Sequence, residues 1–441
     1  MVSASFKVII VGGGPVGLTA AHALHHAGID FLVLERRESV VLDQGASLVL
    51  APQSLRVMQQ FGLYEKLSKI GGELQHTRSF TREGYRFADS TVVRVFKEQL
   101  GSAPVAFHRA HLIEALYDGL PAEAKERCLF NKKLAGIEST EEGVNVTCAD
   151  GTTYQGSMVL GADGVHSKTR SLMRGLAMAE DPEREWDEDK PFPALYKCMW
   201  CSFPRPGDVG EASDTQSKDN SVMFLTGQER GWIFLYKRLS APTIERANYT
   251  DEDIEAFAQD FADFPVTETL KVKDVYGKRL TAGMANLEEG TLKHWGWGRI
   301  ALAGDACHKF TPNAGRGLNN GIQDVVVLCN KLHSLLRSSP NGSITVNHLE
   351  TVFADYQRER EAPLASDAKQ SKAVSRMHAW ANSVYHIMAR YVMSLDIVLW
   401  FMLRFLAVKA TRQLPVLDYI SAEEPFHGLV AWEHPLKLKN E

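Results

Sequence analysis

Apolar positions along this chain switch between two periods, and each switch marks an element. Phe6 to Val11 is a short β-branched run, suited to a buried parallel strand. A glycine turn follows, then Leu18, Ala21 and Leu24 recur on one helical face until Gly28 stops the helix. Phe31 to Leu34 predict the next strand, which ends at Glu35. Two later strands, Met158 to Leu160 and Arg299 to Ala303, also lead into turns and helices. The second is followed by Ile322, Val325, Val326, Leu328 and Leu332 at helical spacing. Strand-turn-helix units in series predict an α/β chain with a parallel sheet.

Other stretches have strand character: Thr91 to Phe96, Leu195 to Phe203, Val222 to Leu225 and Trp232 to Leu239. They predict a second, mainly antiparallel sheet. Asp181 to Lys190 and Gly207 to Asn220 are polar and acidic and are expected to be surface loops, whereas Asp251 to Phe264 has helical periodicity. His348 to Arg376 has the alternation of a surface helix. Residues 377–408 then turn strongly apolar and aromatic, although Asp396 and Arg404 fall inside the run. Three readings stay open for it: a helix packed on the protein or a second subunit, an interfacial membrane helix, or a span.

At 441 residues, the chain is long for one domain. The expected layout interleaves a dinucleotide-binding domain (1–75, 105–180 and 285–340) with a substrate domain (76–104 and 181–284). A helical region (341–441) follows. A net charge of −5 without a long basic run argues against a nucleic-acid partner. The six cysteines are scattered; Cys198 and Cys201 lie in an apolar strand with no second pair, so buried thiols are expected rather than zinc or a disulfide framework. A strand beginning at Phe6 leaves no room for a signal peptide, which implies a cytoplasmic protein, membrane-associated if the 377–408 run meets lipid.

The candidate chemistry lies in the turns. Gly12-Gly13-Gly14-Pro15-Val16-Gly17 sits between strand and helix, where Gly12, Gly14 and Gly17 let a pyrophosphate approach the helix N-terminus. Glu35 is placed to bind a ribose hydroxyl. Gly304 to Asp324 is a second strand-loop-helix shaped for an anion, but Asp305 suits a hydroxyl-rich chain, because a carboxylate accepts hydrogen bonds and repels phosphate. A dinucleotide carrying a ribityl chain satisfies both, which points to flavin rather than nicotinamide. Between them, Gly161 to Arg170 predicts a turn and a helix with Ser167 as its N-cap.

These three patches, in this order, resemble the group A flavin-dependent aromatic hydroxylases and epoxidases over Lys7 to Asp324. Ala46-Ser47-Leu48, Tyr196-Lys197-Cys198 and Pro415 to Tyr419 are similar to fungal members of meroterpenoid and indole-diterpene biosynthesis. The resemblance implies a Rossmann-like FAD-binding domain and a reaction in which NAD(P)H reduces FAD, O₂ adds at the flavin C4a carbon, and the hydroperoxide epoxidises or hydroxylates an apolar substrate. It assigns Arg109 to the flavin, Val49 to a backbone contact with it, and Asp163 to the neighbourhood of NAD(P)H. Pro312, Gly315, Gly317, Leu318 and Asn319 go to the pyrimidine edge of the ring. Tyr196 is the candidate acid on the substrate side, with Tyr236 and Lys237 behind it; His308 is expected to be structural. The alternatives are a flavin oxidase or reductase of a lipid-like molecule, and a non-enzymatic prenyl-binding protein on the same fold. Oligomeric state is not legible from the sequence.

Overall fold

The computed structural model describes residues 6–43, 45–339 and 344–438. Its first layer is a six-stranded sheet in the order Gly296–Trp297, Ile300–Leu302, Met158–Gly161, Lys7–Val11, Asp30–Leu34 and Cys128–Leu129. All neighbours pair parallel except the first two. Val8 to Val11 are buried, as strands covered on both faces require. The helices Pro15–His26 and Arg316–Ser338 pack on each other, and Val16 lies against Gly304 and Gly321.

The second layer is a seven-stranded sheet built from Thr281–Glu288, Ala194–Pro204, Arg230–Thr243, Asn220–Thr226, Glu211–Ser217, His76–Thr81 and Arg86–Ser90 in that order. Strand alternation divides its side chains cleanly. Met199, Cys201, Phe224, Ile233 and Leu235 face the helices Asp251–Asp260 and Val272–Tyr276. Tyr196, Cys198, Leu225, Trp232, Phe234 and Tyr236 form the opposite, inner face, packed with Ala106 and Val49.

Three expectations fail here. Thr91 to Phe96 is not a strand: Val92–Arg94 is a 3-10 turn and Val95–Leu100 a helix, whose Val95 and Leu100 pack on Val408. Glu211–Ser217 is a strand inside the large sheet, although its polar sequence predicted a loop. Its hydroxyls are satisfied locally, Ser213 Oγ donating to the Val266 carbonyl and Thr215 Oγ1 to the Pro265 carbonyl at 2.6 Å. Hydrogen bonding replaces apolar character as the means of burial. Finally, the 377–408 run is not one helix; past the end of Val346–His378 it forms two helical stretches, 383–392 and 396–412, separated by a break at 393–395.

Past Arg412 the described chain has no helix and acts as a strap. Gln60 Nε2 donates to the carbonyls of Leu417 (2.7 Å) and Ile420 (2.9 Å), Tyr419 Oη donates to that of Ala23, and buried Arg56 pairs with Glu424 at 2.7 Å.

The glycine turn sets a steric test with a built-in control. A Cβ on Gly17 would sit 1.9 Å from the Gly12 carbonyl oxygen, whereas Gly175, exposed in the helix Lys168–Glu180, has open space. Gly17→Ala should lower unfolding free energy by about 1–3 kcal/mol or more, and Gly175→Ala should raise it by about 0.5–1 kcal/mol. Urea denaturation of the two variants checks both signs.

Candidate active site

Two helix N-termini and one arginine converge where the first sheet ends. The helix Pro15–His26 starts at Gly14 and the helix Arg316–Ser338 at Gly315; neither has a side-chain cap or an acidic residue in its first turn. Their first N–H groups are therefore open to an anion. Gly12 holds φ +108°, a value other residues rarely adopt, and space in front of Gly14 is empty to 4 Å. Glu35, buried at the end of the second strand, accepts from the N–H of Gly13 at 2.8 Å and of Arg37 at 2.9 Å. The carboxylate thus shapes the turn it was expected to serve.

Arg109 follows the strand Val105–His108 and is anchored by its own N–H, which donates to the Ala46 carbonyl at 3.1 Å. Burial lowers its pKa, the charge of Asp305 raises it and that of Arg37 lowers it again. No carboxylate lies within ion-pair distance of its guanidinium among the described residues. A half-buried guanidinium with no carboxylate partner, close enough to feel the charge of Asp305, has the chemistry to pair with a phosphate. Asp305 pairs with Lys309, and a Cβ on Gly317 would stand 3.6 Å from Asp305 Oδ1. Pro312 opens a 3-10 turn that ends at Gly315, which faces Val49.

Several of the predicted residues are engaged by neighbours within the protein. The Asp163 carboxylate accepts from Ser167 Oγ, from the Thr169 N–H at 2.9 Å and from Thr169 Oγ1 at 3.0 Å. It fixes the start of the helix Lys168–Glu180, where Ser167 is the N-cap as expected. The Asn319 amide is also fully used: it accepts from Ala51 N–H and Ser54 Oγ and donates to the carbonyls of Val49 and Gly315. Leu318 packs against the main core. Lys237 turns away to pair with Asp260.

Tyr196 lies on the inner face of the seven-stranded sheet, in the same cluster as Val49. It is 3% exposed, and its hydroxyl has no hydrogen-bond partner. Trp232 Nε1 and Tyr236 Oη on the same face likewise have no hydrogen-bond partner among the described residues. Burial raises the Tyr196 phenol above its ordinary pKa, so it remains a donor at neutral pH. Burial also pushes the Cys201 thiol up to about 12 and Cys198 well above its usual value, which suits inert packing thiols.

Sequence reasoning missed two arginines. Arg170 bridges the loops, donating to the carbonyls of Ala306 (3.0 Å) and Val165 (2.8 Å). Arg360, 1% exposed in the long helix Val346–His378, donates through Nε to Asp324 Oδ1 at 2.9 Å and through Nη2 to Asn320 Oδ1 at 2.6 Å. Nothing in a mixed charged helix marks one arginine as buried. His308 is structural, its Nε2 lying 2.5 Å from Asp324 Oδ2.

A family model described as an FAD binding domain matches residues 5–361. The chain belongs to this FAD-dependent monooxygenase family. The FAD-dependent monooxygenase ausM of Penicillium brasilianum is 32% identical over 88% of this chain and 82% of its own length. The FAD-dependent monooxygenase dpchE of Colletotrichum higginsianum is 34% identical over 88% of this chain and 84% of its own. Among solved structures, Klebsiella pneumoniae HpxO complexed with FAD and uric acid superimposes with a TM-score of 0.69 at 19% identity, covering 89% of this chain and 96% of that one. CtdE in complex with FAD and its substrate 4 gives 0.70 at 16% identity, covering 91% and 98%. These two bear out the fold. The cofactor of this monooxygenase is FAD and its reductant NAD(P)H.

The buried charge cluster gives a pH prediction. Burial works to raise the Asp324 carboxyl, but the His308 and Arg360 charges and hydrogen bonds outweigh it and hold the group below its ordinary value. A folded-state pKa held low contributes stability above the unfolded value of about 3.9 and loses it as pH falls through the folded value. Asp324→Asn should therefore cost about 3–5 kcal/mol at pH 7 by leaving Arg360 unpaired, and should flatten the acid limb below about pH 4. Urea titrations across that range check this; equal stability at neutral pH refutes it.

Proposed function

We propose that this monooxygenase epoxidises or hydroxylates an apolar secondary-metabolite intermediate of prenylated, terpenoid or indole-containing type. One observation carries the reading. The sheet face opposite Val49 is apolar and aromatic, yet it holds three buried donors, Tyr196 Oη, Trp232 Nε1 and Tyr236 Oη, without a hydrogen-bond partner among the described residues. An apolar skeleton with an oxygen acceptor complements such a face. The names of the fungal relatives agree with oxygenation and say nothing of the substrate.

When bound, FAD reduced by NAD(P)H supplies the activated oxygen; the protein positions and protects. Gly12 and Gly14 leave room for the pyrophosphate at the open N–H groups of Val16 and Gly17 in the first turn of the helix, and Gly17 keeps that helix close to the turn. Glu35 takes the adenosine ribose, and Asp305, released from Lys309, takes the ribityl chain. Arg109 balances the cofactor's negative charge. The backbone from Gly315 to Asn319 at the start of the long helix, preceded by Pro312, meets the pyrimidine edge with the open N–H groups of Arg316, Gly317 and Leu318. There the positive helix end stabilises added negative charge. Val49 and Leu318 flank that edge, and Asn319 secures it by tying Gly315 to Val49. Asp163 serves by holding its loop, with NAD(P)H approaching nearby during reduction.

On the substrate side, the aromatic inner face excludes water from the reacting atom. Tyr196 donates to an oxygen of the substrate or product, acting as a positioning acid with its proton retained by burial. The reaction layer comprises 1–75, 105–180 and 285–340, the substrate layer 76–104 and 181–284, and the C-terminal region 341–441. The apolar run within 377–408 fits peripheral contact with a membrane holding such a substrate.

Purified enzyme with NADPH and ¹⁸O₂, offered prenylated indoles and terpenoid phenols, should consume NADPH faster with substrate and place one labelled oxygen in product. Substrate turnover without O₂ would favour an oxidase or reductase and overturn the proposal. Tyr196→Phe should lower kcat/KM about tenfold, the effect of one lost hydrogen bond, with FAD content unchanged. Unaltered kcat/KM assigns Tyr196 to packing alone. Asp305→Ala should lose tight FAD binding; a variant that retains it contradicts the ribityl assignment.

A further inference from the structure

We propose that the broken helices of 383–412 form an interfacial arm that docks the protein on an anionic membrane surface without crossing it. The inference rests on the apolar-substrate reading above and adds the partner and its charge. Nine of the fourteen exposed large apolar side chains among the described residues lie between Val384 and Leu406. Ile397 is 69% exposed, Tyr391 63%, Leu406 58% and Phe401 56%. Apolar side chains this dense and this open mark a contact surface.

The arm is held in place from its other side. Val408 packs with Val95 and Leu100, and Trp400 and Leu403 rest on that cluster. Arg390 lies over the rings of Tyr85 and Phe87 at 4.7 and 4.5 Å. The outward residues are thus presented by a seated element.

Geometry and charge select the occupant. No single helix among the described residues is long and apolar enough to cross a bilayer, and the two halves of the arm meet at a bend of 99°. A bent, amphipathic element with aromatic residues suits the headgroup boundary rather than the hydrocarbon core. Residues 383–412 contain Arg390, Arg404, Lys409 and Arg412 against Asp396 alone, a local charge of +3 in a chain of −5. Arg412 pairs with Glu433, while Arg390, Arg404 and Lys409 have no carboxylate at ion-pair distance among the described residues. Arg404 lies 5.4 Å over Trp400, a placement from which its head can reach lipid phosphates. Two copies of a positive face repel, whereas an anionic leaflet attracts one.

The root of the arm joins it to the substrate side. Ala379 is buried in the same cluster as Tyr196 and Trp232, and Trp380 Nε1 donates to Gln216 Oε1 at 2.9 Å in the same sheet. An apolar molecule dissolved in the leaflet therefore meets the protein next to the face that receives it.

The test is cosedimentation of the full FAD-loaded chain with vesicles of phosphatidylcholine alone or mixed equally with phosphatidylserine. The parent should partition onto the anionic vesicles at least about tenfold more strongly, in a salt-sensitive way. Two variants, Ile397→Glu/Phe401→Glu/Leu406→Glu and Arg404→Glu/Lys409→Glu, should each lose about tenfold or more of that binding while keeping flavin content and Tm. A parent that stays in the supernatant with both vesicles overturns the proposal. So do variants that bind like the parent, or an arm-dependent dimer in ultracentrifugation without vesicle binding. Vesicle binding that persists when no oxygen insertion is found upholds the docking and removes only the substrate reading.

Discussion

A single buried carboxylate holds the cofactor half of this structure in shape. Asp324 accepts from the Gly304 N–H and lies against His308 through one oxygen, and it accepts from Arg360 through the other. Those partners belong to the end of a strand, the middle of a loop and a helix that follows much later in sequence. With solvent excluded from all of them, the carboxylate cannot ease its position by hydration, so the groups keep one arrangement. The Gly304–Asp324 run is consequently a closed frame. The Gly315 N–H closes the turn on the Pro312 carbonyl, and the N–H groups of Arg316, Gly317 and Leu318 in the first turn of the helix have no side-chain cap.

The same economy recurs across the site. Polar groups expected to meet the ligand directly often spend themselves on a neighbour: Glu35 on the glycine turn, Asp163 on a helix start, Asn319 on the joint between Val49 and Gly315. What remains for a ligand is backbone N–H, helix polarity, the guanidinium of Arg109, the Asp305 carboxylate and the second lone pairs of Glu35. The donors among these suit an extended, doubly charged phosphate chain, since they are fixed before it arrives and need little reorganisation. Across from them, the sheet contributes the opposite environment, aromatic and apolar, with Tyr196, Trp232 and Tyr236 as its buried donors without a hydrogen-bond partner among the described residues. On the function proposed above, the polar half positions the cofactor and the apolar half keeps water from the reacting atom.

Two long-range ties keep these halves in register. The helix Val346–His378 reaches Asp324 through Arg360 and, at its far end, brings Ala379 to the inner sheet face. The terminal strap is bound to the first helices through Gln60, Arg56 and Tyr419, which accounts for the Pro415 to Tyr419 string that stood out in the sequence. Its conspicuous residues serve packing and backbone hydrogen bonds.

By itself, the sequence determined the parallel sheet, both glycine-rich turns into helices, the Ser167 cap and FAD as cofactor. Each depends on contiguous residues whose local geometry follows from glycine, short strands and helix starts. It also marked Glu35, Arg109 and Asp305 for the same neighbourhood. Tertiary structure alone decided where polar strands were buried, because Ser213 and Thr215 find their partners in a distant loop. It alone paired Arg360 with Asp324 and broke the apolar C-terminal run into a bent arm. Spacing along a chain reports local geometry well. The burial of a charge, or the exposure of a phenylalanine, depends on what the rest of the chain leaves beside it.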